Sequence, residues 1–170
     1  IVLILYFFIS SSPITNADAL DYHVGVPIFI LNYGYFPIDW SWFHARQAGA
    51  GELLIALGLS IGAEQFGNLA QFSGLIVLTG LFLFLEKKKT NNQILRQIIA
   101  IGFLSSPILI FLTSTPKPQL LNIAGTSICF CITFFALDKI NKSDFTKALF
   151  LIFSILFILI TSKYYFAFSS

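Results

Sequence analysis

Residues 145–165 read FTKALFLIFSILFILITSKYY, and this stretch decides the fold of the chain. It is long and apolar enough to cross a bilayer as a helix, which needs about 20 such residues. Other apolar runs precede it, at residues 1–10, 66–85, 94–113 and 120–137. The sequence therefore predicts an all-α protein, a polytopic transmembrane helical bundle in a single membrane domain, with a kink at Pro107.

The overall composition supports a membrane protein. Hydrophobic residues make up 56% of the chain and charged residues 11%, whereas soluble domains carry about 25% charged residues. The chain has no basic patch interleaved with aromatic residues, which is the pattern of nucleic-acid binders. The composition thus predicts the lipid bilayer as a partner and excludes nucleic acid.

The beginning of the chain indicates a fragment. The sequence contains no Met, even at position 1, and opens inside an apolar run. We therefore expect residues 1–10 to be a truncated first span and a further C-terminal part to follow residue 170. A signal-peptide core over residues 1–9 is the alternative, but no basic residues precede it.

Residues 11–65 form a long, mixed segment between the first two apolar runs. It contains Trp and Tyr residues, which favour the membrane–water interface. Residues 18–32 have helical amphipathicity typical of a helix lying along a membrane surface. Residues 51–61 predict a second apolar helix that is too short to span. We expect a structured first extracytoplasmic loop with interfacial helices.

The basic residues predict the orientation of the bundle. Seven of the ten Lys and Arg residues fall in the segments 86–97 and 138–147. The positive-inside rule makes these segments cytoplasmic. The long first loop and the turns at Lys117 and Lys163 then share the opposite, extracytoplasmic side.

Acidic residues and a histidine cluster in the first loop, at Asp18, Asp21 and His23. Ionisable residues near a bilayer are costly and indicate a functional site. In a helix the two carboxylates lie on one face, where they perturb each other and can supply a general base. The alternative is structural, with Asp18 as a helix N-cap, Asp21 in the first turn and His23 at the surface.

Basic side chains are predicted on the same outer side. Lys117 stands between two prolines in a stiff turn that can present a cation to a phosphate; the alternative is a plain hairpin whose lysine stays in water. Lys163 ends the last apolar run and either snorkels to the interface or points into an outer cavity. Arg46 precedes a Gly-rich step, residues 48–51, that lacks the ending of a phosphate-binding loop.

The order of these motifs resembles the N-terminal part of bacterial GT-C type glycosyltransferases, relatives of protein O-mannosyltransferases and of the lipid A aminoarabinose transferase. Residues 18–23 (DALDYH) are similar to the first outer loop of those enzymes, and residues 52–58 to the helix that closes it. Residues 117–120 (KPQL) resemble their Lys-Pro-Asp-Leu turn, and residues 161–164 (TSKY) a Thr-Lys-Tyr stretch. Ala19 departs from the pattern, since many members carry an acidic residue there.

The resemblance implies an inverting enzyme that moves a sugar from a polyprenyl-phosphate donor to a glycan, lipid or protein acceptor. The reaction would take place on the extracytoplasmic face of the bacterial inner membrane, with Asp18 as the catalytic general base. The implied substrate-binding residues are Asp21, His23, Arg46, Lys117 and Lys163. Some members use a divalent cation; the sequence shows no full ligand set, so the metal requirement stays open.

Two other functions compete with this one, a transporter or flippase and a non-catalytic membrane protein. A transporter carries charged residues deep in its helices, along the translocation path. Here the apolar runs are nearly free of charge, and the ionisable residues gather at one mouth of the bundle. This distribution favours chemistry at the membrane surface.

Overall fold

A computed structural model describes residues 1–38, 41–42, 45, 48–89, 92–135 and 142–162. All regular structure in these ranges is helical, which confirms the predicted all-α class. A π-helical turn, Ala19–Val24, precedes the second α-helix. The α-helices are α1 (Val2–Ser10), α2 (Gly25–Tyr33), α3 (Ala50–Ser60), α4 (Phe66–Lys89), α5 (Gln93–Leu104), α6 (Pro107–Thr113), α7 (Gln119–Phe135) and α8 (Lys142–Ser162).

Within the described ranges, two helical segments are long and apolar enough to cross a membrane, Phe66–Phe84 and Asp144–Ser162. The pair α5 and α6 makes a third if it is counted as one bent span. The predicted segment 120–137 falls on α7, a shorter apolar helix; residues 136–137 and 163–165 of the predicted spans lie outside the described residues. By length, the described residues thus contain two or three of the predicted spans, and the full set of five stays a prediction.

The predicted span 94–113 is two helices rather than one kinked helix. The axes of α5 and α6 differ by 60°. Pro107 occupies the start of α6, where its missing N–H costs no helical hydrogen bond. The helix therefore ends before the proline and restarts on it, because a proline cannot continue the hydrogen-bond pattern of the preceding turn.

The bundle is organised around α4, which packs most extensively on α7. Gly74 allows this approach: a Cβ atom there would lie 2.7 Å from the backbone C and O of Leu120. The main apolar cluster surrounds this contact and consists of Tyr6, Leu75, Leu104, Leu109, Leu112 and Leu120. The Tyr6 hydroxyl donates a 2.5 Å hydrogen bond to the carbonyl of Leu104, which ties α1 to the end of α5.

The outer surface of α8 is apolar and exposed. Phe150 is 75% exposed, Phe153 67% and Phe157 69%. Aromatic side chains of this size seldom face water in a row, so a continuous exposed stripe marks a membrane or protein contact. The stripe suits a helix in contact with lipid.

The helix termini define two ends of the bundle. Gln71 near the start of α4 contacts the start of α7, and Asn122 of α7 bonds to Ser162 at the end of α8. These contacts gather the starts of α4 and α7 and the end of α8 at one end, which we call the loop end. The other end joins the end of α4 to the start of α5, and we call it the basic end because Lys87–Lys89 finish α4 there.

The first loop packs as a small helical layer. Buried Tyr22, Val26 and Ala45 form its own apolar cluster, with Trp42 against it. Gly34 ends α2 with φ 78°, a left-handed conformation that favours glycine. The segment is thus a folded layer with helices of its own.

Candidate functional site

The carboxylate of Asp18 forms an ion pair with the ammonium of Lys117, a residue 99 positions further along the chain. The Asp18 side chain is 42% exposed and that of Lys117 is 16% exposed. The Lys117 ammonium also lies 5.4 Å from the ring centroid of Phe111. The structure thus brings these two predicted site residues together, and the interpretation of Lys117 as a solvated hairpin lysine is wrong.

Local backbone structure presents Asp18 to its partner. The side-chain oxygen of Asn16 accepts a 3.1 Å hydrogen bond from the Ala19 N–H. Asp18 makes no side-chain capping bond to the π-helical turn that follows it. The N-cap interpretation of Asp18 is therefore wrong; Asn16 caps the turn, and the Asp18 carboxylate faces Lys117.

The turn after Asp18 has an uncommon geometry. Ala19–Val24 is π-helical, a conformation that is rare and occurs mostly as single turns, frequently at functional sites. Ala19, Tyr22 and His23 point into the protein, whereas Asp21 is exposed. Asp21 is therefore within reach of a ligand from outside.

Polar side chains of α4 fix the position of the Lys117 turn. Gln71 is buried, and its side-chain oxygen accepts a 2.9 Å hydrogen bond from the N–H of Leu120. Asn68, also buried, donates a 3.4 Å hydrogen bond to the carbonyl of Ser114. The two bonds hold the turn on both sides of Lys117, because they satisfy backbone groups that helix termini leave without partners.

Glycines let neighbouring helices approach the same turn. A Cβ atom on Gly67 would lie 2.5 Å from Cβ of Pro116, and one on Gly51 would lie 2.8 Å from Cγ of Pro118. Neither position has room for a side chain. The two prolines that flank Lys117 are thus packed directly against α4 and α3, which makes the turn rigid.

A second charged pair lies beneath the first loop, between His23 and Glu52. Both side chains are fully buried, and Nδ1 of His23 is 3.0 Å from Oε1 of Glu52. The other carboxylate oxygen accepts a 2.7 Å hydrogen bond from the N–H of Gly49. Opposite a carboxylate, which only accepts hydrogen bonds, Nδ1 of His23 is assigned as the donor of this bond. The pair joins the π-helical turn to the start of α3.

The buried position of His23 corrects the expectation that it lies at the surface. Its partner Glu52 was not among the predicted site residues. One local signal points to Glu52: an acidic residue three positions after the N-cap residue Gly49 can accept a hydrogen bond from the N-cap N–H, as one half of a capping box does. Its pairing with His23 has no such signal, because the two residues are 29 positions apart.

The whole chain, residues 1–170, matches the DUF1420 N-terminal domain. The chain belongs to this family. No curated protein and no solved structure matches it.

Two predicted site residues of the DUF1420 domain, Arg46 and Lys163, lie outside the described residues. The residue before Lys163 is placed: the Ser162 hydroxyl accepts a 2.6 Å hydrogen bond from the side chain of Asn122. Both are buried at the loop end, and Gly49 packs directly on the Ser162 carbonyl. The end of α8 therefore lies against the Gly-rich step that begins α3.

The described residues of the DUF1420 domain include no group of three or more His, Cys, Asp or Glu side chains that could hold a metal ion. The divalent cation stays a prediction.

The chemistry of the site follows from its charges. A half-exposed carboxylate can take a proton from an approaching hydroxyl or amine. The neighbouring ammonium can stabilise an anion that forms close to it. The loop end of the DUF1420 domain thus presents an acid–base group and a cation side by side, above an apolar bundle.

Proposed function

We propose that this domain belongs to an integral membrane glycosyltransferase. The enzyme transfers a sugar from a polyprenyl-phosphate donor to a hydroxyl or amine of a glycan, lipid or protein acceptor. Transfer takes place on the extracytoplasmic face of the bacterial inner membrane, with inversion at the anomeric carbon.

The Asp18–Lys117 ion pair carries this proposal. It joins a potential base to a potential phosphate ligand at the loop end of the bundle. The span Phe66–Phe84 contains no charged residue, whereas a transporter needs charges along its path. A lipid-linked donor suits the position, because its phosphate remains at the membrane surface while its polyprenyl chain stays in the bilayer.

In the proposed reaction the donor phosphate first draws the Lys117 ammonium away from Asp18. The Asp18 carboxylate then accepts the proton of the acceptor group as the acceptor oxygen or nitrogen attacks the anomeric carbon. The new glycosidic bond forms while the bond between that carbon and the phosphate oxygen breaks. Polyprenyl phosphate leaves with the electron pair, and Lys117 stabilises its charge.

The buried His23–Glu52 pair supports this site from below. It fixes the turn that follows Asp18 against the start of α3. A base must stand within hydrogen-bond reach of the proton it removes, and small displacements are costly in rate. We assign His23 and Glu52 as positioning residues, which refines the implied contact of His23 with substrate.

The basic residues set the proposed orientation. Lys87–Lys89 and Lys142 belong to the ends of α4 and α8 that lie opposite Lys117 along the bundle. The positive-inside rule directs such an end to the cytoplasm. The Asp18–Lys117 pair then faces the extracytoplasmic side.

The test uses the full-length protein in native membranes, with its lipid-linked sugar donors and acceptors present. Asp18→Asn removes the base but keeps the shape, so transfer should fall by about 10²–10⁴-fold. Lys117→Gln should lower kcat by roughly 10²–10³-fold through loss of charge stabilisation. Glu64→Gln, an exposed acidic residue between α3 and α4, is the matched control and should retain activity.

Protein level and membrane insertion should be the same in all three variants. Undiminished transfer by Asp18→Asn would remove Asp18 from the mechanism and with it the proposed enzyme. If Asp18→Asn and Glu64→Gln both lost activity to the same extent, the effect would not be specific to Asp18, and this result would also contradict the proposal.

A further inference from the structure

An open crevice lies between α4 and α5 at the basic end, at the opposite end of the bundle from the Asp18–Lys117 pair. Its volume is about 490 Å³. Its lining residues are Gly80, Leu83, Phe84, Gln93, Arg96 and Gln97. The proposed transfer reaction uses none of them.

Arg96 gives the crevice its chemistry. Its Nε atom is buried, and within the described part of the chain nothing accepts a hydrogen bond from it. Gln93 lies one turn from both Arg96 and Gln97 on α5, and all three side chains line the crevice. A guanidinium beside two amides offers a fork of hydrogen-bond donors, which matches the oxygens of a phosphate.

The crevice has room for a ligand group. A Cβ atom built on Gly80 has no neighbour within 4 Å, so the wall formed by α4 is open at this point. In contrast, the backbone of Leu120 occupies the space beside Gly74 on the same helix. The open glycine therefore marks a space that no part of the described bundle fills.

Along the membrane normal, the crevice lies at the level expected for the lipid headgroups. Gly80 and Phe84 stand at the end of the apolar span Phe66–Phe84. Lys87–Lys89 follow on the last turn of the same helix. Arg96 is thus at the boundary between the apolar span and the basic end, where phosphates of a bilayer lie.

The neighbouring surface of α5 suits acyl chains. Ile94 is 69% exposed and Ile98 61%, and Ile101 continues the same stripe one turn later. A free phosphate ion would use only the polar crevice. A phospholipid would use both the crevice and the apolar stripe beside it.

We propose that the α4–α5 crevice binds the phosphodiester headgroup of an anionic phospholipid. Arg96 holds the phosphate oxygens, and the acyl chains lie along the exposed isoleucines of α5. The site is independent of glycosyl transfer, since it is at the opposite end of the bundle. Bound lipid would brace α4 against α5 at the end that the positive-inside rule assigns to the cytoplasm.

The test measures lipid retention by the full-length protein. The protein is released from nanodiscs of phosphatidylcholine with a minor share of phosphatidylglycerol, and its lipid adducts are counted by native mass spectrometry. Arg96→Gln should weaken phosphatidylglycerol retention by about tenfold, as expected for loss of a hydrogen bond to a charged group. Phosphatidylcholine has the same phosphodiester, but its choline cation leaves it without net charge beside Arg96 and Lys87–Lys89, so its retention should start weaker and fall by less than about threefold.

The matched control is Lys147→Gln, which removes a positive charge at the same end but outside the crevice. It should change retention by less than about threefold, the effect of general surface attraction. Gly80→Leu fills the open wall and should reproduce the loss with every charge in place. If Arg96→Gln does not fold, Gly80→Leu alone tests whether the crevice binds the lipid.

Four outcomes would overturn the proposal. One is an equal effect of Arg96→Gln and Lys147→Gln, which would mean general charge attraction. Another is retention of both lipids to the same extent, or no effect of Gly80→Leu. The last is displacement of phosphatidylglycerol by millimolar inorganic phosphate, which would identify a free anion as the ligand.

Discussion

Glu52→Gln should destabilise the domain strongly, although it changes only one atom. Both carboxylate oxygens of Glu52 accept hydrogen bonds, one from His23 at 3.0 Å and the other from the Gly49 N–H at 2.7 Å. A glutamine offers one oxygen and one NH₂ group. In one orientation the NH₂ group meets the Gly49 N–H; in the other it meets Nδ1 of His23, which can accept only if the imidazole hydrogen moves to Nε2. Glu52 has no exposed surface through which water could help.

The expected cost follows from these two contacts. Both hydrogen bonds lose their charged acceptor, and either a buried donor is left without an acceptor or the imidazole has to change its tautomer, which together amount to about 2–4 kcal/mol. For a chain of this size the melting temperature should then fall by roughly 4–16 °C. The loss of transfer activity should accompany it if the pair positions the turn after Asp18.

The assay is a thermal melt in detergent, followed by intrinsic fluorescence. Glu64→Gln makes the same substitution at an exposed position, and its free energy of unfolding should change by about 0.5 kcal/mol or less. A melting temperature of Glu52→Gln equal to that of this control would refute the reasoning. That result would mean that the imidazole hydrogen moves from Nδ1 to Nε2 at little cost in the variant, so that the amide satisfies both of its neighbours.

Two further substitutions test how the Lys117 turn is held. Gly74→Ala places a Cβ atom 2.7 Å from the backbone of Leu120, so it should lower the free energy of unfolding by about 1–3 kcal/mol in the same melts. Its control is Gly80→Ala, which has open space around it and should be neutral or stabilising by up to ~1 kcal/mol. Equal effects of the two substitutions would contradict the close packing of α4 on α7. Gln71→Leu removes the oxygen that accepts from the first N–H groups of α7, and an expected loss of about 1–3 kcal/mol would be contradicted by an unchanged melting temperature.

The helices themselves could be predicted from the sequence. The apolar run at 66–85 falls on α4, and the predicted short helix at 51–61 falls on α3. Hydrophobic runs and periodicity are local signals, so they locate helices without knowledge of the fold. The break before Pro107 also has a local cause, but its 60° angle depends on packing.

The partners of the polar residues could not be predicted in the same way. Gln71 and Asn68 stand within an apolar run, and only the fold shows that they hold a turn almost 50 positions away. The His23–Glu52 pair is non-local too. That Asp18 and Lys117 lie close together is expected from their predicted common side of the membrane. Asn16 as the cap of the turn at residues 19–24 was not predicted, because Asp and Asn are both favoured N-cap residues.

The convergence of the first loop with the Lys117 turn can be measured directly by cross-linking. The full-length protein receives Asp18→Cys and Lys117→Cys, with Cys129, Cys131 and every cysteine outside residues 1–170 replaced by Ser. A short bis-maleimide reagent in native membranes should join the two thiols, which intact-mass spectrometry detects as one bridging adduct. A control that pairs Asp18→Cys with Lys147→Cys should add two separate adducts. A bridge in the control, or none between positions 18 and 117, would contradict the account.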